Sequence, residues 1–402
     1  MKIRLGVDKR IEILVIIELI LAFLINFCTV ILNNKTLVSI FFNLSFIIFF
    51  MLFLDFTIKV GKVSIWSIGL IVSSVLSVIL SYSFNNYISF GGTEYIKCLI
   101  FFIVTNTFYY ILSKIKITKK LYNFSVNIPF LIILTDIFSY YLLKNRVTMA
   151  HAITLNFSNP NQAGLWLSVA FMFGILKYTE ESSKTKKLMF LGLTMMVFPL
   201  MLKTLSRNAL ISVVFLVIMM IYGNIFKKRK LSKKIIILVI IFPLIFCFAY
   251  LILINTSFVD NFSFLISEGK SLTSRLSIWN LGVKTFLEHP IIGNYSRSVS
   301  YGQGVAQFHN VGIDVVAKYG IVVYFTFIKL TYDIIESMNK KIFRKIQYLS
   351  MCCFLSVIIQ GVFEAGIYSG YCGLDYLIGG FIIIGRGVTN KYNRDNYKQK
   401  IY

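Results

Sequence analysis

Apolar runs about as long as a bilayer is thick recur along this chain from beginning to end. Twelve can be marked, at residues 11–32, 37–54, 63–83, 95–113, 121–143, 162–176, 188–202, 208–223, 235–254, 312–335, 347–365 and 373–385. A segment of roughly 20 apolar residues spans the hydrocarbon core as a helix, because only a helix satisfies its own backbone hydrogen bonds there. Twelve such segments would use about 240 residues. The chain has 402 residues, of which 57% are hydrophobic, so the crossings absorb nearly all its apolar stock. A soluble enzyme with one anchor is excluded by that arithmetic. A β-barrel is disfavoured because its strands alternate instead of running apolar. The fold expected is an all-α polytopic membrane protein of about 12 transmembrane helices.

The charges then orient it. Alternate connecting segments fall into two sets. The first is 1–10, 55–62, 114–120, 177–187, 224–234, 336–346 and 386–402, with 29 Lys and Arg. The second is 33–36, 84–94, 144–161, 203–207, 255–311 and 366–372, with 9, and Lys97, Lys318 and Lys329 lie within runs. Positive residues collect on the cytoplasmic side of membrane proteins. The first set, with both termini, is therefore assigned to the cytoplasm, and the net charge of +24 is read as a topology signal, not as nucleic-acid binding. The N-terminal run lacks a small-residue cleavage signal and reads as a retained span. The six cysteines form no Cys-x-x-Cys pair, and five lie inside apolar runs, so no disulfide framework or zinc site is indicated. The organisation expected is nine helices in 1–254, a large extracytoplasmic loop 255–311, three helices in 312–385 and a cytoplasmic tail 386–402.

Two outer segments are long, 144–161 and 255–311. Within the second, Leu272, Leu276, Trp279, Val283 and Phe286 recur at three- and four-residue intervals, one face of an amphipathic helix. Ser271 or Thr273 can cap it and Pro290 ends it. Arg275 sits near its N-terminus, where exposed N–H groups add to the guanidinium charge and suit an anion. The competing reading is an arginine snorkelling to lipid phosphates. Arg207 ends a very short outer turn between two spans, which holds it more rigidly than a long loop would. Asn161, in Asn159-Pro160-Asn161, is read as an N-cap facing the outer cavity.

All three histidines, His151, His289 and His309, fall on the outer side. His289 precedes Pro290 at a helix end, where a structural role suffices. His309 has no such explanation and is the candidate general base. Acids inside spans are functional candidates by default. Glu364 and Asp136 lie toward outer ends and could pair with Arg207 or Arg275. Asp314, Asp333 and Asp375 read as interfacial, and Glu18 has no evident partner. The chain contains neither a phosphate-binding G-x-x-x-x-G-K-[ST] loop nor an Asp-x-Asp pair, so neither ATP-driven transport nor a metal-held nucleotide sugar is indicated. No cofactor or metal is expected.

Ordered motifs add a resemblance. Asn159-Pro160-Asn161, Ser206-Arg207-Asn208-Ala209, Arg275-Leu276-Ser277-Ile278-Trp279, Phe286-Leu287-Glu288-His289-Pro290-Ile291-Ile292-Gly293, His309-Asn310 and Lys318-Tyr319-Gly320 together resemble the O-antigen polymerase and O-antigen ligase superfamily (Wzy and WaaL). The match runs over residues 155–335. It departs from the family where Gly293-Asn294-Tyr295 stands in place of the usual Gly-x-Gly after His-Pro. The resemblance implies a GT-C-like helical fold and metal-independent transfer from an undecaprenyl-pyrophosphate-linked oligosaccharide. It implies that Arg207 and Arg275 hold the pyrophosphate and that His309 acts at the acceptor hydroxyl. Asn161, Asn310, Trp279 and Glu364 are then expected at the substrate.

Polymerase and ligase share a donor and differ in acceptor. Abundant Lys, Ile, Asn and Phe suit an AT-rich genome, common among Gram-positive cocci, which lack the lipid A core a ligase needs. Polymerisation of a capsular or surface polysaccharide is therefore favoured, with membrane lipids and a chain-length regulator and flippase of the same pathway as partners. Ligase-type transfer is the first alternative. A lipid-linked oligosaccharide flippase is the second, disfavoured because a flippase would keep its outer loops short.

Overall fold

In the computed structural model, the residues described are 2–60, 65–84, 94–144, 147–149, 151–225, 230–253, 273–295, 307–340, 344–364 and 373–388. The cap candidate Ser271 and much of the loop 255–311 lie outside them, as does the tail beyond residue 388.

Each of the twelve apolar runs forms one helix. They are α1 (Lys2–Val30), α2 (Lys35–Val60), α3 (Ile65–Phe84), α4 (Glu94–Lys114), α5 (Lys119–Ile137), α6 (Pro160–Glu180), α7 (Lys184–Lys203), α8 (Arg207–Ile225), α9 (Lys233–Leu253), α11 (Val311–Asn339), α12 (Lys345–Gln360) and α13 (Leu374–Arg386). The remaining helix, α10 (Thr273–Glu288), is the amphipathic one expected in the outer loop. A π turn, Phe138–Leu142, extends α5, and a small antiparallel hairpin pairs β1 (Thr148–Met149) with β2 (Ala152–Ile153). The protein is an all-α polytopic membrane protein.

The helices are not equal in length. Among the described residues, seven are long and apolar enough to cross a membrane: α1, α2, α5, α7, α8, α9 and α11. Helix α13 has 13 residues, about 20 Å at 1.5 Å per residue, short of the ~30 Å core. Every residue of α13 is buried, as are Ile346–Gln360 of α12. These two helices need no lipid-facing side because neighbours wrap them. Along α11 72% of the apolar window is buried, against 17% along α2. The inner layer is therefore α6, α11, α12 and α13, with α2, α3, α7, α8 and α9 outside it.

Polar contacts sort the connecting segments onto two ends. Arg10 pairs with Asp55 at 2.8 Å, and two residues on, Glu12 accepts from Thr118 at 2.8 Å. Tyr122 and Arg344 both donate to Glu180, at 3.2 and 3.0 Å. These contacts gather five of the positively charged segments on one end. The opposite end carries Arg207, Arg275, His309 and the hairpin.

The acids inside the spans find local partners. Ser45 donates to Glu18 at 2.6 Å, supplying the partner the sequence left open. Asp136 is the exception: it is fully buried with neither carboxylate oxygen hydrogen-bonded among the described residues, next to Thr135, which donates to Asn26 of α1 at 2.9 Å. Asp375 is fully interior and not interfacial, accepting from Thr105 at 3.0 Å. Asp314 is also not a lone interfacial acid, since Lys318 pairs with it at 2.8 Å inside the bundle.

Helix α11 breaks at Gly320, whose φ of 77° and ψ of 179° are non-helical. The segment after α10 fills the break. Ile321 N–H donates to Pro290 O at 2.9 Å, and Asn294 N–H donates to Ala317 O at 2.8 Å. Ser77 of α3 straps both strands of the joint, donating to Ile292 O and to Lys318 O. A Cβ on Gly293 would stand 2.6 Å from Gly320 N. The His-Pro-Ile-Ile-Gly and Lys-Tyr-Gly motifs are thus two halves of one backbone joint, which fixes α10 against α11.

Candidate active site

Three helix beginnings and one helix end meet at a single carboxylate. Glu364 lies in the turn just beyond α12. Arg275 is the third residue of α10, and its Nη2 donates to Glu364 Oε1 at 3.0 Å. Its Nη1 donates to Phe363 O at 2.5 Å, and its guanidinium stands 5.7 Å from the centre of the Phe363 ring. His309 Nδ1 is 2.9 Å from Glu364 Oε2. Asn161 Nδ2 donates to Glu364 Oε1 at 2.7 Å. The Glu364 side chain is only 7% exposed, Arg275 21% and His309 36%. The acid is thus the buried hub, while the two basic groups open outward.

Local sequence explains each placement. Asn159, not Asn161, caps α6: it adopts an extended backbone and accepts from Gln162 N–H at 2.9 Å, with Pro160 at the first helical position. Capping was the sequence reading for Asn161. Because Asn159 does that work, the Asn161 amide is free to reach Glu364. His309 has a φ of 49°, a left-handed conformation that costs free energy in a non-glycine residue and clusters at functional sites. It is held from both sides. Phe308 N–H donates to Asp314 Oδ1 at 2.9 Å, and Val311 N–H donates to Gly361 O at 2.7 Å.

Asn310 and Trp279 take structural places. Asn310 donates to Pro243 O at 2.7 Å and to Val362 O at 2.9 Å, and accepts from Ile313 N–H at 3.0 Å. Both amide hydrogens and the carbonyl are in use, so this residue staples α9, α11 and the α12 end and offers nothing to a substrate. Trp279 is fully buried, stacked on Phe363 at 6.1 Å and edge-on to Tyr250 at 5.6 Å. It backs the Phe363 ring that carries Arg275. Both are buried behind the cluster and not open to its surface.

Arg207 begins α8 beside this cluster. Ser206 packs against Gly164, where a Cβ would stand 2.7 Å from Ser206 Oγ. Gly164 is three residues along α6 from Asn161, so the α7–α8 turn is clamped within a turn of the residue that holds Glu364. The Arg207 charge also bears on Tyr250, which touches Trp279. Arg207 is therefore near enough to Tyr250, which belongs to this aromatic cluster, for its charge to act there. Asp136, the alternative partner suggested for the arginines, is not among these contacts.

The arrangement has an electrostatic consequence. The N-termini of α6, α10 and α11 converge at Glu364, and that of α8 lies beside them. Each carries partial positive charge from its aligned peptide dipoles. Two arginines sit on two of these ends. Such a place attracts a di-anion and can neutralise charge developing on it.

Residues 190–328 match the family model described as O-antigen ligase. Over that stretch, about a third of the chain, the protein is similar to the O-antigen polymerase and ligase superfamily. The matched stretch contains Arg207, Arg275, His309 and the Gly293–Gly320 joint, whereas Asn161 and Glu364 lie outside it. No curated protein matches the chain. The family supports membrane glycan transfer in general as its activity.

Proposed function

We propose that the protein polymerises undecaprenyl-pyrophosphate-linked oligosaccharide repeat units into a surface polysaccharide, at the outer face of the cytoplasmic membrane. The observation that carries this reading is Glu364, which accepts from Arg275 on one oxygen and faces His309 Nδ1 with the other. With Nδ1–H donating to the carboxylate, His309 Nε2 keeps its lone pair for an acceptor proton. Arg275 and Arg207, with the helix N-termini, hold the donor pyrophosphate. In the reaction, the acceptor hydroxyl oxygen attacks the anomeric carbon and the bond from that carbon to the phosphate oxygen breaks. The electron pair leaves with lipid pyrophosphate, and the hydroxyl proton passes to His309. A single displacement of this kind inverts the anomeric centre. A pyrophosphate leaving group needs charge neutralisation more than protonation, which suits two cations and one base. Both termini would then be cytoplasmic, on the lysine-rich end, and a flippase and chain-length regulator would act before and beside it.

Ligase-type transfer to another acceptor uses the same chemistry. Reconstitution with lipid-pyrophosphate repeat units separates these activities. A ladder of lengthening products supports the polymerase. A single addition to a different acceptor supports ligation, and transport without a new bond would reject both.

A further inference from the structure

A second concavity opens at the same end, beside the α7–α8 turn, and shares no residue with the Arg275–Glu364–His309 cluster. Its volume is about 470 Å³, within the range that holds small ligands. Ile153, Leu202 and Leu205 form an apolar floor and wall, and Tyr140, Lys203 and His151 supply the polar groups. No acid lines it. The Lys203 ammonium is fixed in place, donating to the Tyr140 hydroxyl at 2.7 Å and standing 5.0 Å from its ring centre. Neither Lys203 nor His151 has a carboxylate partner among the described residues. His151 is presented from the turn of the β1–β2 hairpin with a φ of 65°, and the pairing of Thr148 with Ile153 holds that turn.

The surroundings restrict what such a pocket can hold. Of its lining, Leu202 and Leu205 are exposed, and Leu142, Leu143 and Met149, exposed as well, follow Tyr140 and Thr148 closely in the chain. An ammonium and an imidazole without acids favour an anion, and a lysine is a good point-charge partner for phosphate. Exposed leucines in the lining are of no use to a free inorganic anion but suit the first carbons of a lipid chain. We propose that this groove binds the anionic phosphate headgroup of a membrane lipid, with Lys203 and His151 on the phosphate and Leu202 and Leu205 against its chains. The inference stands independently of the transfer reaction.

The test uses the full chain purified in a neutral detergent, with its melting temperature followed during titration. The probes are phosphatidylglycerol, zwitterionic phosphatidylcholine and inorganic phosphate. Phosphatidylglycerol is expected to raise the melting temperature saturably, and the other two are not. In Lys203→Gln/His151→Gln the ligand-free melting temperature should hold while the apparent affinity falls about tenfold or more, the size of one lost charge-assisted contact. Lys203→Arg should keep the response. An unchanged affinity in the double variant would overturn the assignment, as would an equal response to phosphatidylcholine. A response to inorganic phosphate as large as to lipid would overturn the lipid part, and no response to any probe would overturn the whole.

Discussion

Replacing Glu364 by glutamine is the most informative single change. In the native site one carboxylate oxygen accepts from Arg275 and Asn161, while the other faces His309 Nδ1. A glutamine must place its carbonyl oxygen toward the two donors, since its NH₂ there would oppose both. Its NH₂ then points at His309 Nδ1 and donates to it. That forces the histidine proton onto Nε2, the nitrogen that should accept from the acceptor hydroxyl. Volume and packing hardly change, so the protein should fold and melt normally. The base is nevertheless lost, and general-base catalysis contributes roughly 10²–10⁴ in rate. Glu364→Gln should therefore lower the initial rate of glycosidic bond formation in proteoliposomes by about that factor. Glu364→Ala should lose activity and also stability. It leaves the Arg275 guanidinium, 21% exposed, without its acid, at a cost of about 1–3 kcal/mol for an unpaired group, less than the ~3–5 kcal/mol of a fully buried pair. A Glu364→Gln variant with the wild-type rate would refute the coupling of Glu364 to His309.

Other substitutions probe other links of the account. Arg207→Ala and Arg275→Ala should each abolish product while the protein stays in the membrane, and Arg275→Lys should rescue poorly, because Lys cannot bridge Phe363 O and Glu364 at once; full product from an alanine variant removes that arginine from the mechanism. Gly320→Ala should destabilise the chain by about 1–3 kcal/mol from its left-handed backbone alone, and by more because a Cβ would stand 2.6 Å from Gly293 N; an unchanged detergent melt would deny the joint its role. Leu287→Cys, on the exposed side of α10, should react with an impermeant thiol reagent on intact cells in a background with native cysteines replaced. Labelling only after lysis would invert the orientation.

The helices were legible because apolar runs of membrane length admit one solution, and each of the twelve became a helix. The amphipathic α10 was legible from the spacing of Leu276, Trp279, Val283 and Phe286. That same spacing concealed Trp279's place, because an apolar stripe does not say whether it covers a neighbouring helix or a substrate. Arg275, His309 and Glu364 stood out as charged or titratable groups where polar residues are scarce. Their convergence did not, since 55 residues separate His309 from Glu364. Asn159 and Asn161 were confused because each looks like a cap, and only backbone geometry chooses between them. The Gly293–Gly320 joint could have been suspected from glycines in two motifs. The partner of each glycine is the other's backbone, which leaves no side-chain signal to read. Short α13 looked like a span because complete burial within protein and immersion in lipid demand the same apolar residues.

The central claim is that His309, oriented by Glu364, takes the proton from an acceptor hydroxyl while the arginines hold the departing pyrophosphate. The measurement that bears on it is the initial rate of glycosidic bond formation in proteoliposomes for the wild type, His309→Ala and His309→Gln, with a lipid-pyrophosphate repeat unit as donor. A fall of roughly 10²–10⁴ is expected in both variants, with the melting temperatures unchanged. An undiminished rate in either variant would remove His309 from the reaction.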